Sequence, residues 1–518
     1  MGVIDPRSVI DDRLALEQGV TAHRDTPFCL VYPSPYRVGM SSLGFQTLYR
    51  LLNEDGAVGA HRAFLPDAWE PAALPWPAPR EAIVSYEARR PVSDYRVLGL
   101  SVAYELEVAG VIRLLEGAGI PVLAADRGPR DPIVLAGGPL TDSNPSVLLP
   151  FVDLLICGEG EVELPRALDA ILATPSREAG LVAAASSPHA CLGEVVRDQF
   201  EPLPLPASAP TEHLPARSAI TTPNTELADM FLVEPERGCS RRCTFCVMRG
   251  ESTGGMRLLD AGLPVSLIPQ HARRVGLVGA AVTDHPKLEQ LVDDIVSTGR
   301  GIGISSLRAD RLTPRLLDNL ARGGYRKITI ASDGISERLR VELRRKISAE
   351  NLRTAARMVG EHKTLRGLKV YQMIGAPTET EDDVDELIEM SKEIASLVPL
   401  TLTFSTFVAK RRTPLDGHPF LGVKAATKRL ARIRKALSHK IKIRPQSPRW
   451  AHIEYMVAQR GPEAGHAALA AVHAGGRYAD WVRAFAELGP NDRPLVLGDE
   501  ERRAARKARA ERRALPTV

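Results

Sequence analysis

Short apolar runs that read as strands alternate with helical stretches along most of this 518-residue chain, in two separate blocks. That alternation predicts an α/β architecture, with mostly parallel sheets covered by helices on both faces. In the first block, residues 28–32, 97–103, 120–124, 133–136 and 154–157 read as strands. Helical spacing lies between and after them: Phe45, Leu48, Leu51 and Leu52 share one face, and residues 105–117 and 162–172 continue the pattern. Glycines stand where strands end, as in Gly137-Gly138 and Gly158-Glu-Gly-Glu161. Ligands of open parallel sheets bind at the carboxyl ends of the strands, so these loops are the first places to look for a site.

The second block has candidate strands at 231–234, 274–279, 301–305, 326–331, 367–374 and 400–407. Helical stretches at 288–298, 314–322, 337–346, 349–362 and 381–397 separate them. Six strands interleaved with helices suit a partial, open barrel. The expected plan is an N-terminal extension (1–27), a Rossmann-like doubly wound domain (28–195), a Pro-rich linker (196–227), a barrel domain (228–440) and a C-terminal helical region with a basic tail (441–518). Trp450, Tyr455, Tyr478 and Trp481 in the last region are expected to pack its helices onto the barrel; contact with a substrate at the barrel mouth is the alternative.

Apolar residues make up 44% and charged residues 25%, with a net charge of +4, the balance of a globular protein. No apolar run reaches the roughly 18 residues a membrane span needs. The first residues, 1–18, mix charges with apolar groups and lack a signal-peptide core, so the expected compartment is the cytoplasm. The charged run 500–513 reads as a solvated terminal helix. No aromatic interleaves with its charges, so nucleic acid is not an expected partner, although the run Lys410-Arg411-Arg412 keeps that alternative in view.

Cysteine usage is uneven. Cys29, Cys157 and Cys191 are scattered and read as buried small apolar residues, whereas Cys239, Cys243 and Cys246 fall within eight residues. The latter stand in Glu234-Pro-Glu-Arg-Gly-Cys239-Ser-Arg-Arg-Cys243-Thr-Phe-Cys246, just after the first strand of the second block. Three thiolates spaced C-x3-C-x2-C can take three irons of a cubane cluster and leave the fourth iron open to a small molecule. Gly238 allows the tight turn, and Arg237, Arg241 and Arg242 can offset the cluster's negative charge. A structural zinc site, the alternative, needs a fourth ligand, and His271 and His285 are isolated in sequence.

This segment resembles the cysteine motif of the radical S-adenosylmethionine (SAM) superfamily. The resemblance implies a [4Fe-4S] cluster whose open iron binds the amino and carboxylate groups of SAM. It also implies reductive cleavage of SAM to methionine and a 5′-deoxyadenosyl radical, with a donor such as flavodoxin or ferredoxin. In that family a Gly-Gly-Glu loop after the second strand receives the SAM amino group. The corresponding loop here, Val278-Gly-Ala-Ala-Val-Thr-Asp-His-Pro286, lacks the second glycine and the glutamate, leaving backbone contacts from Gly279 and Ala280. By the same resemblance Phe245, Ser306, Arg308, Ser332, Met373 and Gly375 are further candidate SAM contacts.

Other segments are similar to one subgroup that places a cobalamin-binding-type domain before the radical SAM barrel. They are Tyr32-Pro-Ser-Pro-Tyr-Arg-Val-Gly-Met-Ser-Ser-Leu-Gly44, Ser101-Val-Ala-Tyr-Glu105, Gly137-Gly-Pro139 with Asn144-Pro145, Gly158-Glu-Gly-Glu161, Lys369-Val-Tyr-Gln-Met-Ile-Gly-Ala-Pro-Thr-Glu379 and Phe407-Val-Ala-Lys-Arg-Arg-Thr-Pro414. The likeness spans residues 28–485 and implies cobalamin contacts at Ser101, Gly137 and Gly138. The Asp-x-His-x-x-Gly motif that supplies a histidine to cobalt is absent. With cobalamin the expected chemistry is methylation of an unactivated carbon. Without it, oxidation, rearrangement or sulfur insertion remains. Sulfur insertion would ask Cys29, Cys157 and Cys191 to converge.

Overall fold

The computed structural model describes residues 6–20, 25–54, 58–67, 83–193, 203–250, 254–437 and 441–491. The N-terminal sheet contains β1 (Phe28–Pro35), β2 (His61–Leu65), β3 (Val97–Ser101), β4 (Ile133–Gly137), β5 (Leu154–Ile156) and β6 (Ala190–Leu192), in the order β2-β1-β3-β4-β5-β6. The first five are parallel and β6 runs antiparallel at the edge. This is a doubly wound order whose topological switch lies between β1 and β3. Expected strand 120–124 does not form: Pro121 removes a donor, and the chain makes a 3-10 turn at Ala124–Asp126 instead. Strands β2 and β6 were not anticipated; β2 is five buried residues that include His61 and Arg62, so it lacks an apolar signature.

The second block forms β7 (Met230–Val233), β10 (Arg274–Leu277), β11 (Gly301–Ile304), β12 (Ile328–Gly334), β13 (Leu368–Ile374) and β14 (Leu400–Thr406), with a hairpin of β8 (Glu236–Gly238) and β9 (Met256–Leu258) inserted after β7. All six expected strands are present. Their sheets run β7-β10-β11 and β12-β13-β14, all parallel, and Leu307 bridges to Ile330 to join the two. A seventh parallel strand, β15 (Lys442–Pro445), adds beyond β14, inside the region expected to be wholly helical. Its alternating exposed and half-buried residues give it no apolar run to announce it. Among the described residues β7 and β15 do not pair, so the barrel is open. Leu368, Val370, Ile374, Leu400, Leu402 and Phe404 face the helices. The alternate residues Lys369, Tyr371, Thr401, Thr403 and Ser405 therefore line the concave face, which is polar rather than packed with branched side chains.

Helices Glu463–His473 and Tyr478–Ala486 lie against the N-terminal domain, a correction to the expectation that the whole region packs onto the barrel, whereas helix Pro448–Ala458 touches both: Ile453 and Val457 join the N-terminal core and Tyr455 packs with Met373 and Phe407 of the barrel. Trp481, Phe485, Ala467 and Ala468 share a core with Val108, Leu115 and Phe151. Small residues explain the choice: a Cβ on Gly465 would sit 2.6 Å from the Val147 carbonyl oxygen, so helix Glu463–His473 approaches backbone directly. Nor is the described part of the Pro-rich segment a free linker. Ala207 pairs with Gly158, Ile220–Thr221 pairs with Gln18–Gly19, and Glu17 reaches buried Arg62 at 2.8 Å. The basic tail at 500–513 lies outside the described residues.

Candidate active site

The carboxyl ends of the two sheets face each other. From the loop after β14, Lys410 donates to Glu105 and Glu454 at 2.6 Å each, Arg411 donates to Asn144 Oδ1 at 2.9 Å, and Arg412 donates to the Thr141 carbonyl at 2.8 Å. Glu105, Thr141 and Asn144 all follow strands of the N-terminal sheet, so this basic run is a clamp between domains and is taken up inside the protein. Asn144, completely buried, also donates to the carbonyls of Val457, Ala458 and Arg460, at and just past the end of a C-terminal helix, where carbonyls lack intrahelical partners.

Against this junction stands the cysteine loop. Cys239 and Cys243 are buried, Cys246 is half-buried, and all three are free thiols. They lie within electrostatic reach of one another. Among the described residues no three His, Cys, Asp or Glu groups converge as ligands of one metal ion. Gly238 has φ +85°, and the amide of Gly250 donates to the Arg241 carbonyl at 2.8 Å, closing the loop. A Cβ on Gly250 would lie 2.5 Å from the Cys239 carbonyl oxygen.

Two arginines fix this loop. Arg237 donates to Glu161 at 2.6 Å, to Glu159 at 3.2 Å and to Glu234 at 3.1 Å, and Arg257 pairs with Glu159 as well. The Gly158–Glu161 motif of the N-terminal domain thus latches the residue two places before Cys239. On the other side Arg241 makes a bidentate pair with Asp284 at 2.6 and 2.7 Å. Burial opposes the Asp284 charge, yet Arg241, Arg308 and Arg311 hold its carboxyl below the ordinary value.

The expected SAM residues distribute unevenly. Gly279 and Ala280 lie in the loop that follows β10. Phe245 packs with Met373, Phe407, Leu343 and Tyr455 into one apolar patch beside the cysteines. Gly375 has φ +81° and its amide donates to Glu379 at 2.8 Å. Ser306 is half-buried next to the strand-joining Leu307. Arg308 is buried and donates to Asp310 at 2.9 Å and to the carbonyls of Arg345 and Lys346, and fully buried Ser332 donates to the Gly334 carbonyl at 3.1 Å, so both serve the fold internally.

Glu236 escaped the sequence reading. It has no exposure, its Oε1 accepts the Ala281 amide at 2.8 Å, and its Oε2 has no hydrogen-bond partner. Burial pushes its carboxyl up to about 7, against the opposing hydrogen bond from Ala281. The available signal was its place in Glu234-Pro-Glu236, where period-two spacing puts two acids before the cysteines.

At the switch point Ser101 and Gly137 are register partners, and Gly138, φ +103°, approaches the Val102 carbonyl so closely that a Cβ would lie 2.7 Å away. Glu107 sits here too, its carboxyl pushed up to about 7 by burial although Ala103, Tyr32 and Ser34 donate to it. Cys29 begins on β1 and Cys157 follows β5, with β3 and β4 between them, so the three scattered cysteines do not converge.

Residues 233–391 match the family described as the radical SAM superfamily, and residues 44–189 match radical SAM proteins, N-terminal. The chain belongs to the radical SAM superfamily. As a radical SAM protein it is 24% identical over 422 residues, 79% of this chain and 82% of the other, to an uncharacterised protein of Methanocaldococcus jannaschii. Its fold resembles the radical SAM methyltransferase TsrM from Kitasatospora setae, solved with cobalamin and a [4Fe-4S] cluster bound. That likeness has a TM-score of 0.53 at 13% identity over 93% of this chain and all of the other. A second TsrM structure, with tryptophan substrate and a SAM analogue, gives 0.51 at 15% identity, covering 77% of this chain and 76% of the other. Among the described residues no helix is long and apolar enough to cross a membrane.

Proposed function

We propose that this radical SAM protein cleaves SAM reductively at a [4Fe-4S] cluster held by Cys239, Cys243 and Cys246, and methylates an unactivated carbon with cobalamin held by the N-terminal domain. The observation that carries the first half is the closed loop after β7, which carries three free thiols in C-x3-C-x2-C spacing that could take three irons of a cubane and leave the fourth open. With SAM on the open iron, such a cluster supplies a one-electron cleavage of the sulfonium. The protein's own part is to hold and shield. Arg237 and Arg241 anchor both ends of the loop, the Phe245–Met373–Phe407 patch keeps water from one side, and the concave face would present polar side chains to a substrate.

The second half is supported by the opposed carboxyl ends, which set the switch-point crevice of the N-terminal sheet across from the cysteine loop. Cobalamin there would supply a transferable methyl group. Of the described histidines in the N-terminal sheet domain, His61 faces Tyr95 and His189 faces the Leu205 carbonyl, so the residues present fit cobalamin without a histidine on cobalt. A cobalamin-independent radical SAM oxidoreductase or mutase is the second reading. It is favoured by Gly138, whose close approach is to Val102 rather than to open space.

Anaerobically reconstituted protein, reduced with dithionite and given SAM, is expected to form 5′-deoxyadenosine. Retention of cobalamin through gel filtration favours methyl transfer. Deoxyadenosine formation without retention selects the second reading.

A further inference from the structure

We propose that the concave face of the barrel holds an anionic group, a phosphate or a carboxylate, of a small-molecule substrate through Lys369, Tyr371, Thr403, Lys442 and Arg444. The assignment rests on the reading above that the reaction takes place at the cysteine loop. Strand register brings these side chains together. Lys369, Thr401 and Lys442 form one row across β13, β14 and β15, and Tyr371, Thr403 and Arg444 form the next row toward the carboxyl ends. Ile443, between the two cations of β15, packs with the helix-side core, so Lys442 and Arg444 turn to the concave side. Nothing on this face neutralises them. Among the described residues no carboxylate pairs with Lys369, Lys442 or Arg444, and the neighbouring concave positions Thr329, Ala331, Met373, Thr401 and Ser405 carry no acid.

The second row is short of a partner. Thr403 Oγ1 stands between Tyr371 and Arg444, is buried, and has no hydrogen-bond partner. Lys369 donates to the Tyr371 hydroxyl at 2.9 Å, which leaves that hydroxyl its own proton to give. An anion in this row would accept from Thr403, Tyr371 and the Arg444 fork together, with Lys369 and Lys442 beside it. Charges on an edge strand also deter pairing with other chains, which accounts for Lys442 and Arg444 on β15 but not for Lys369, two strands inside. Register sets a length as well. Met373, which packs with Phe245 of the cysteine loop, is two residues beyond Tyr371 and four beyond Lys369 on β13. At about 3.3 Å per residue, the charged group of the substrate stands about 7 to 13 Å from the carbon that reacts.

The experiment titrates reconstituted holoprotein, at low salt and without SAM or reductant, with inorganic phosphate and with succinate, each followed by calorimetry. Wild type should bind at least one of them saturably; tighter phosphate points to a phosphate ester as substrate, and tighter succinate to a carboxylic acid. Lys369→Gln combined with Arg444→Gln should weaken that binding by about 10- to 100-fold, the range of lost charge-assisted hydrogen bonds. Thr403→Val, which keeps the shape and removes the hydroxyl, should weaken it by about 3- to 10-fold. Lys424→Gln combined with Lys428→Gln, the same change of charge on helix Val423–Ala436, should leave it unchanged. Absence of saturable binding to wild type overturns the proposal. Equal weakening in the helix variant does so too, because binding then follows net charge alone. SAM cleavage by wild type is read separately as 5′-deoxyadenosine; its absence would remove the reading of the cysteine loop and leave the anion site standing.

Discussion

Glu107 shows how a single buried side chain at the switch point makes stability depend on pH. Its carboxyl titrates near 7 in the folded protein, against about 4.3 in an unfolded chain. Above the unfolded value the unfolded chain has lost a proton that the folded protein still holds. Stability from this group is therefore full below about pH 4.3 and declines until pH passes 7. Glu107→Gln removes that dependence. The melting temperature of the variant relative to wild type should be more favourable at pH 8 than at pH 5; a difference that does not change with pH would contradict the account. The cysteines were legible at this scale because their spacing is local. Glu236 was not, because its meaning depends on Gly279 and Ala281, more than forty residues away in sequence, coming to meet it.

At the scale of elements, the β8–β9 hairpin and the cysteine loop are held by charges from the other domain. Arg237 is mostly buried among Glu159, Glu161 and Glu234. Replacing it by alanine strands Glu161 and Glu234, while Glu159 keeps Arg257, and breaking a buried pair in this way costs about 3–5 kcal/mol. Arg237→Ala should lower the urea midpoint and the iron retained after reconstitution together, while Glu161→Gln, which leaves two partners, should do less. The six barrel strands were readable because each is an apolar run bounded by turns. β15 and β2 were not, since their strand character comes from pairing with β14 and β1 rather than from composition. Gly158-Glu-Gly-Glu161 looked like a ligand loop and proves to carry the latch.

The whole molecule is arranged so that the carboxyl ends of the two sheets meet, with helices Glu463–His473 and Tyr478–Ala486 packed on the N-terminal domain. Asn144 ties helix Pro448–Ala458 to the junction. Asn144→Ala removes the donor to three helix-end carbonyls, a loss of about 1–3 kcal/mol locally. Amide exchange in residues 448–458 should accelerate, whereas the barrel strands keep their protection; unchanged exchange there would show that Asn144 is not the tie. Domain docking could not be read from sequence, because the surface that receives Trp481 and Phe485 is defined only once helix Val108–Gly117 and turn Pro145–Phe151 are assembled. The central claim is SAM cleavage at the cysteine loop. Its most direct test is 5′-deoxyadenosine formed by reduced, reconstituted wild type beside Cys243→Ala: the account predicts product from the first and none from the second, and equal product from both would contradict it.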